Sequence, residues 1–143
     1  MPFSKLGLSA PITEAVTALG YEKPTSIQQK AIPIVLRGSN LIAAAQTGTG
    51  KTASFVLPIL EKLSQGETQR KKRARAVILT PTRELALQVH QSIEAYSKNL
   101  SLRSMAMFGG VDYAPQKQAL IDGVDIVVST PGRLIDLYGQ RAI

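Results

Sequence analysis

The 143-residue sequence contains no cysteine, no tryptophan and a single histidine, His90. Without cysteine there is no disulfide scaffold, no thiol nucleophile and no thiolate-ligated metal. One histidine rules out a His-cluster zinc site and argues against a Ser-His-Asp triad. Apolar runs are short as well. The longest strictly apolar one, Leu41 to Ala45, falls far below the ~20 residues a membrane helix needs. The opening MPFSKLGLSAPI lacks the apolar core of a secretory signal. Acidic residues are outnumbered by basic ones, 10 against 17, which leaves a formal charge of +7. That excess suits a polyanion such as nucleic acid. These bounds predict a soluble, basic, intracellular protein, with room for about one domain and one core.

What is present is globular in composition, 44% hydrophobic and 19% charged. Short β-rich runs alternate with amphipathic stretches. Leu6 to Leu19 reads as a helix with Ser9 as N-cap and Gly20 beyond its end. Ser26 to Leu36 is a second helix closed by Gly38, and Pro33 inside it predicts a kink or a short first segment. Asn40 to Ala45 has strand length and runs into a Gly-rich loop, after which Gly50 to Leu63 is helical, with Ala53, Val56, Leu57, Leu60 and Leu63 on one face. Beyond a linker-like stretch, Ser64 to Arg75, come strand Ala76–Thr80, helix Thr82–Tyr96, strand Leu102–Phe108, helix Tyr113–Ile121, strand Val124–Ser129 and a helix starting near Pro131. Apolar strands separated by helices predict an α/β fold: a mostly parallel sheet with helices on both faces, its ligands at the carboxyl ends of the strands.

Residues 45–52 read Ala-Gln-Thr-Gly-Thr-Gly-Lys-Thr between a strand and a helix. This is the context of a P-loop, with Ala45 where the usual pattern has its first glycine. Gln46, Thr47, Gly48, Thr49 and Gly50 would aim backbone N–H groups at phosphate oxygens, helped by the helix N-terminus. Lys51 reaches the β- and γ-phosphates and the Thr52 hydroxyl completes a Mg²⁺ shell. These two are the catalytic candidates, and Thr52 is the metal candidate. A nucleoside triphosphate with Mg²⁺ follows; the base does not.

Upstream stands Gly20-Tyr21-Glu22-Lys23-Pro24-Thr25-Ser26-Ile27-Gln28, with Phe3 seventeen residues before Gly20. Here the sequence resembles the DEAD-box ATP-dependent RNA helicases, whose Q motif has this form. A glutamine amide both donates to and accepts from the N7/N6 edge of adenine and mismatches guanine. The resemblance implies that Gln28 selects ATP, that Tyr21 stacks on the base with Lys23 nearby, and that Phe3 packs the segment down. Three further motifs follow in the family's order: Pro81-Thr82-Arg83-Glu84-Leu85-Ala86, Gly109-Gly110 and Thr130-Pro131-Gly132-Arg133. Each sets hydroxyl, guanidinium or backbone N–H groups at a strand end or a helix start, which suits the phosphates of a single strand. By resemblance Pro81, Thr82, Arg83, Gly110, Thr130 and Arg133 line an RNA track. Taken alone, Thr82 is equally a helix N-cap and TPGR a helix-start turn. Glu84 answers the helix dipole or pairs along the sheet edge, and His90 reads as a satisfied helix histidine. The cluster Arg70–Arg75 reads as a solvated loop or a supplementary RNA contact.

The wording around Gly109 is similar to bacterial members of the RhlE type, which implies structured RNA, ribosomal in kind, as substrate. No aspartate here adjoins a glutamate, so the family's Asp-Glu-Ala-Asp element is missing, as are its Ser-Ala-Thr motif and second RecA-like domain. The expectation is a Q-motif helical segment over 1–38 and an incomplete RecA-like P-loop NTPase domain over 39–143, truncated before the DEAD strand. Such a piece would bind ATP and RNA with little hydrolysis or unwinding, and would be marginally stable or associate through an unfinished sheet edge. The rival readings are a nucleotide- or RNA-binding module without turnover and a non-helicase P-loop NTPase.

Overall fold

The computed structural model describes residues 2–42, 50–65, 74–107 and 113–139. Its elements are a 3-10 turn Phe3–Leu6, helices α1 Ala10–Ala18, α2 Ser26–Leu36 and α3 Lys51–Gln65, strand β1 Ala76–Leu79, helix α4 Arg83–Tyr96, strand β2 Ser104–Met107, helix α5 Tyr113–Asp122, strand β3 Ile126–Ser129 and helix α6 Pro131–Gly139. They form two compact units. One comprises Met1–Gly66 with Ala95–Ser101, the other Glu67–Glu94 with Leu102–Ile143.

The first unit is helical. The single helix expected over Leu6 to Leu19 is two elements, because Gly7 takes a left-handed φ of 97° and Ser9 is extended ahead of Pro11 in the first turn of α1. Ser9 is the N-cap residue, yet its side chain makes no cap. Its backbone N–H instead donates to the carboxylate of Glu61, which is 1% exposed on α3 and also accepts from Gln65 Nε2. A buried carboxylate at a helix N-terminus is favoured by the helix dipole. α2 continues through Pro33 as one helix to Leu36. Ile12, Val16, Ile32, Val56, Leu57 and Leu60 are all buried to 1% exposure or less, which fixes the apolar faces of α1, α2 and α3. Each such side chain stabilises by roughly 2 kcal/mol relative to the exposed state.

Among the described residues the second unit holds a three-stranded, wholly parallel sheet in the order β1-β3-β2. β3 is central and buried at every position, the pattern of a parallel strand covered on both faces. Val77, Val127 and Met105 align across the sheet, as do Leu79, Ser129 and Met107. Met105, Met107 and Val127 pack with Leu120 of α5 and Leu137 of α6, whereas Val77 and Leu79 on the edge strand are 47% and 56% exposed. Of the strand expected over Asn40 to Ala45, Asn40, Leu41 and Ile42 are in no strand, and residues 43–45 lie outside those described.

One aspartate sets the register at the amino ends of the strands. The Asp125 carbonyl accepts from Arg75 N at 2.8 Å and Ala76 N at 3.0 Å. Its carboxylate accepts from Arg75 Nη2 at 3.1 Å and from Arg103 N at 3.0 Å. Arg75 is therefore not part of a solvated loop, and its side chain is only 13% exposed. Residues 70–73 of the same basic cluster lie outside the described residues.

Candidate nucleotide and phosphate sites

At the end of α1, Gly20 takes a left-handed φ of 89°. Gly20 N donates to Thr17 O and Tyr21 N to Val16 O, both at 3.0 Å, closing the helix in a Schellman motif. That closure turns Tyr21 out of the helix line. Its ring stands 6.5 Å from that of Phe3 and 6.0 Å from that of Tyr96, and it remains 38% exposed. Phe3, 5% exposed, is a packing residue as expected from its position. Lys23 is exposed in the following segment.

Thr25 caps α2. Its hydroxyl accepts from Gln28 N, and the Gln28 side-chain oxygen accepts from Thr25 N at 2.9 Å, a complete capping box. The sequence reading placed the helix start correctly but missed this box, although Thr-x-x-Gln is its signature. The other end of the Gln28 carboxamide donates from Nε2 to the Gly50 carbonyl at 3.1 Å. Gly50 lies at φ 76°, and a Cβ built on it would meet Gln28 Nε2 at 2.2 Å. Gln28 is thus 2% exposed and held between the start of its own helix and the residue that opens α3. Each of its two polar atoms keeps capacity for a second hydrogen bond, an acceptor lone pair on Oε1 and an N–H on Nε2. That is the donor–acceptor pair which an adenine N7/N6 edge requires.

Lys51 and Thr52 are the first two residues of α3, Lys51 exposed and Thr52 half-buried. A cation and a hydroxyl at a helix start that also presents backbone N–H groups fit a Mg²⁺-bound triphosphate. Gln46, Thr47, Gly48 and Thr49 lie outside the described residues. Gln28, Gly50, Lys51 and Thr52 all belong to the first unit, as does Tyr21.

The second unit carries the motifs at the carboxyl ends of its strands. Thr80 N donates to Ser129 O at 2.9 Å and Thr130 N to Met107 O at 3.2 Å. The sheet thereby brings the ends of β1, β3 and β2 together. Thr82 N-caps α4, its hydroxyl accepting from Leu85 N at 3.1 Å. Pro81, Thr82 and Arg83 are exposed, as are Pro131 and Gly132, and Thr130 is half-buried. Glu84 sits exposed in the first turn of α4, where it answers the helix dipole. Arg133 differs from its companions. It is 6% exposed and its Nη1 donates to Gln116 Oε1 of α5 at 3.4 Å. Gly110 lies outside the described residues. His90 is half-buried on α4 with Nδ1 3.1 Å from Glu94 Oε1 one turn on; it is not fully satisfied as expected, because its buried Nε2 has no hydrogen-bond partner among the described residues. No cluster of three metal-ligating His, Asp or Glu side chains occurs among the described residues, and no helix among them is long and apolar enough to cross a membrane.

Comparison with known proteins fits this arrangement. The DEAD/DEAH box helicase family model matches residues 25–142. The chain is 45% identical over 141 residues to the pre-mRNA-processing ATP-dependent RNA helicase PRP5 of Chaetomium globosum, covering 98% of this chain and 13% of that protein. It is 47% identical over 135 residues to the ATP-dependent RNA helicase DeaD of Escherichia coli K12, covering 94% of this chain and 21% of that one. A DEAD box protein of Methanococcus jannaschii superposes with a TM-score of 0.89 at 41% identity, covering all of this chain and 38% of the other. The chain therefore spans between about an eighth and two fifths of the length of these relatives.

Proposed function

The chain belongs to the DEAD/DEAH box helicase family, and from that premise we propose that it is the ATP- and RNA-binding front of an ATP-dependent RNA helicase. The observation that carries the nucleotide half is the Gln28 carboxamide, buried and bonded to Gly50 at the head of the helix that opens with Lys51 and Thr52. Tyr21 offers a ring to the base, with Lys23 in the same segment. Gln28 reads the adenine edge with its remaining donor and acceptor. Gln46, Thr47, Gly48, Thr49 and Gly50 present backbone groups to the phosphates, Lys51 neutralises their charge, and Thr52 supplies a ligand to Mg²⁺. When bound, ATP with Mg²⁺ would supply the γ-phosphoryl group that hydrolysis in the longer helicase transfers to water, leaving ADP and phosphate. Positioning and electrostatics dominate such chemistry. None of the 143 residues forms an Asp-Glu pair, so we assign binding rather than hydrolysis to this stretch.

The RNA half rests on Pro81, Thr82, Arg83, Gly110 and Thr130, which the reading sets along a phosphate track at the strand ends. Arg133, buried against Gln116, enters it by holding α5 to the start of α6. Contact through phosphates carries no sequence preference, which suits a remodeller of structured RNA, ribosomal in kind, acting in the cytoplasm. The exposed Val77 and Leu79 on β1 support association of two copies through that edge, readable as a dimer in sedimentation.

The test is a titration of ribose-labelled ATP with Lys51→Ala as control. The substitution removes an exposed charge from a helix end, so the fold is expected to persist while triphosphate affinity falls at least tenfold. Unchanged affinity in that variant would remove the P-loop assignment.

A further inference from the structure

Tyr96 is the last residue of α4 and is 4% exposed. Its hydroxyl lies 3.0 Å from that of Tyr21, and the two rings meet edge-on at 64°. Phe3 stands on Tyr21 as well, tilted by 30°. Packing alone does not require a hydroxyl at position 96, because a phenylalanine there would fill the same volume. A buried phenol, in contrast, requires a partner, and one partner here is the phenol of a half-open ring on a turn.

We propose that Tyr96 is a positioning residue for the nucleotide base, holding the Tyr21 ring in the plane against which adenine stacks. The inference rests on the nucleotide reading above, which gives Tyr21 that role. Tyr21 follows a helix-closing turn, so its side chain would otherwise rotate over more than one rotamer. A base that binds a mobile ring must pay for ordering it. The hydroxyl pair fixes one end of the ring, the edge contact with Tyr96 sets its tilt, and Phe3 limits its travel on a further side. The 38% of Tyr21 that stays exposed is what remains for a ligand.

The experiment measures two ligands: ribose-labelled ADP, and ribose 5-diphosphate as a competitor that keeps the sugar and both phosphates and lacks the base. In Tyr96→Phe, ADP affinity is expected to fall by roughly three- to tenfold, the scale of one neutral hydrogen bond, with ribose 5-diphosphate affinity unchanged. Tyr21→Phe should give the same loss, and the double variant should lose no more than either single one. A Tyr96→Phe variant that loses affinity for both ligands in parallel would make Tyr96 a structural residue only. A variant that loses none would remove the inference outright. If the unsubstituted protein binds ADP no better than ribose 5-diphosphate, the base makes no contribution, and the nucleotide reading fails together with this one. Melting curves of each variant accompany the titrations, and Tyr96→Leu marks the stability loss when the ring itself is removed.

Discussion

Gln28 is 2% exposed with both ends of its carboxamide bonded, whereas Pro81, Thr82 and Arg83 stand in solvent at the end of β1. The first arrangement is set before any ligand arrives: a capping box, a left-handed glycine and a carbonyl at the head of α3 leave the amide one orientation. The second is a row of surface groups supported from beneath by sheet register. Reading an edge of a nucleotide base demands fixed donors and acceptors. A phosphate backbone is read through charge and N–H groups that tolerate slack. If the two regions hold the ligands proposed for them, stability and ligand binding are expected to be coupled in the first and separable in the second.

Four substitutions probe that difference. The largest effect is expected from Gly50→Ala, which combines a left-handed φ of 76° with a Cβ 2.2 Å from Gln28 Nε2. A loss of about 3 kcal/mol in urea unfolding, with no measurable nucleotide binding, is the expected result. Glu61→Ala comes next. It strips the acceptor from the part-buried Ser9 N–H and should cost about 2 kcal/mol, again by urea unfolding, although Glu61 is not among the proposed ligand-binding residues. In the second region Thr82→Ala removes a helix cap and should cost about 1 kcal/mol, a loss that Thr82→Ser restores. Arg83→Ala should leave stability within about 0.5 kcal/mol. Its mark is on RNA: the salt dependence of oligouridylate affinity should shallow by about 0.7 in log–log slope, one phosphate contact. If Arg83→Ala melted the protein while Gly50→Ala did not, the contrast between the regions would be inverted.

Much of this was legible in the residues, for reasons that differ by element. Alternation of apolar strand and amphipathic helix predicted the parallel sheet, because a strand buried on both faces has no choice but to read Ile-Val-Val. Motif order predicted the strand ends as the chemical edge. What escaped was long-range pairing between polar groups. Nothing local marks Asp125 as the residue that joins Arg75 and Arg103, since those partners lie 50 and 22 positions away. Glu61 reads as the polar face of an amphipathic helix, yet it is buried because Ser9, 52 positions earlier, presents a bare N–H to it. Arg133 looked like its motif neighbours, and only the packing of α5 against α6 shows its guanidinium turned to Gln116. The break of the first helix was readable in principle, because Gly7 and Pro11 bracket the point where it begins.

The nucleotide reading stands or falls on base selection by Gln28. Direct competition of ADP against GDP for the chain, followed in the Gln28→Ala variant, tests it most simply. Adenine should be favoured by at least tenfold, the value of one well-placed polar pair, and the preference should vanish in the variant. Equal affinity for the two nucleotides in the unsubstituted protein, or a preference that survives removal of Gln28, would contradict the account.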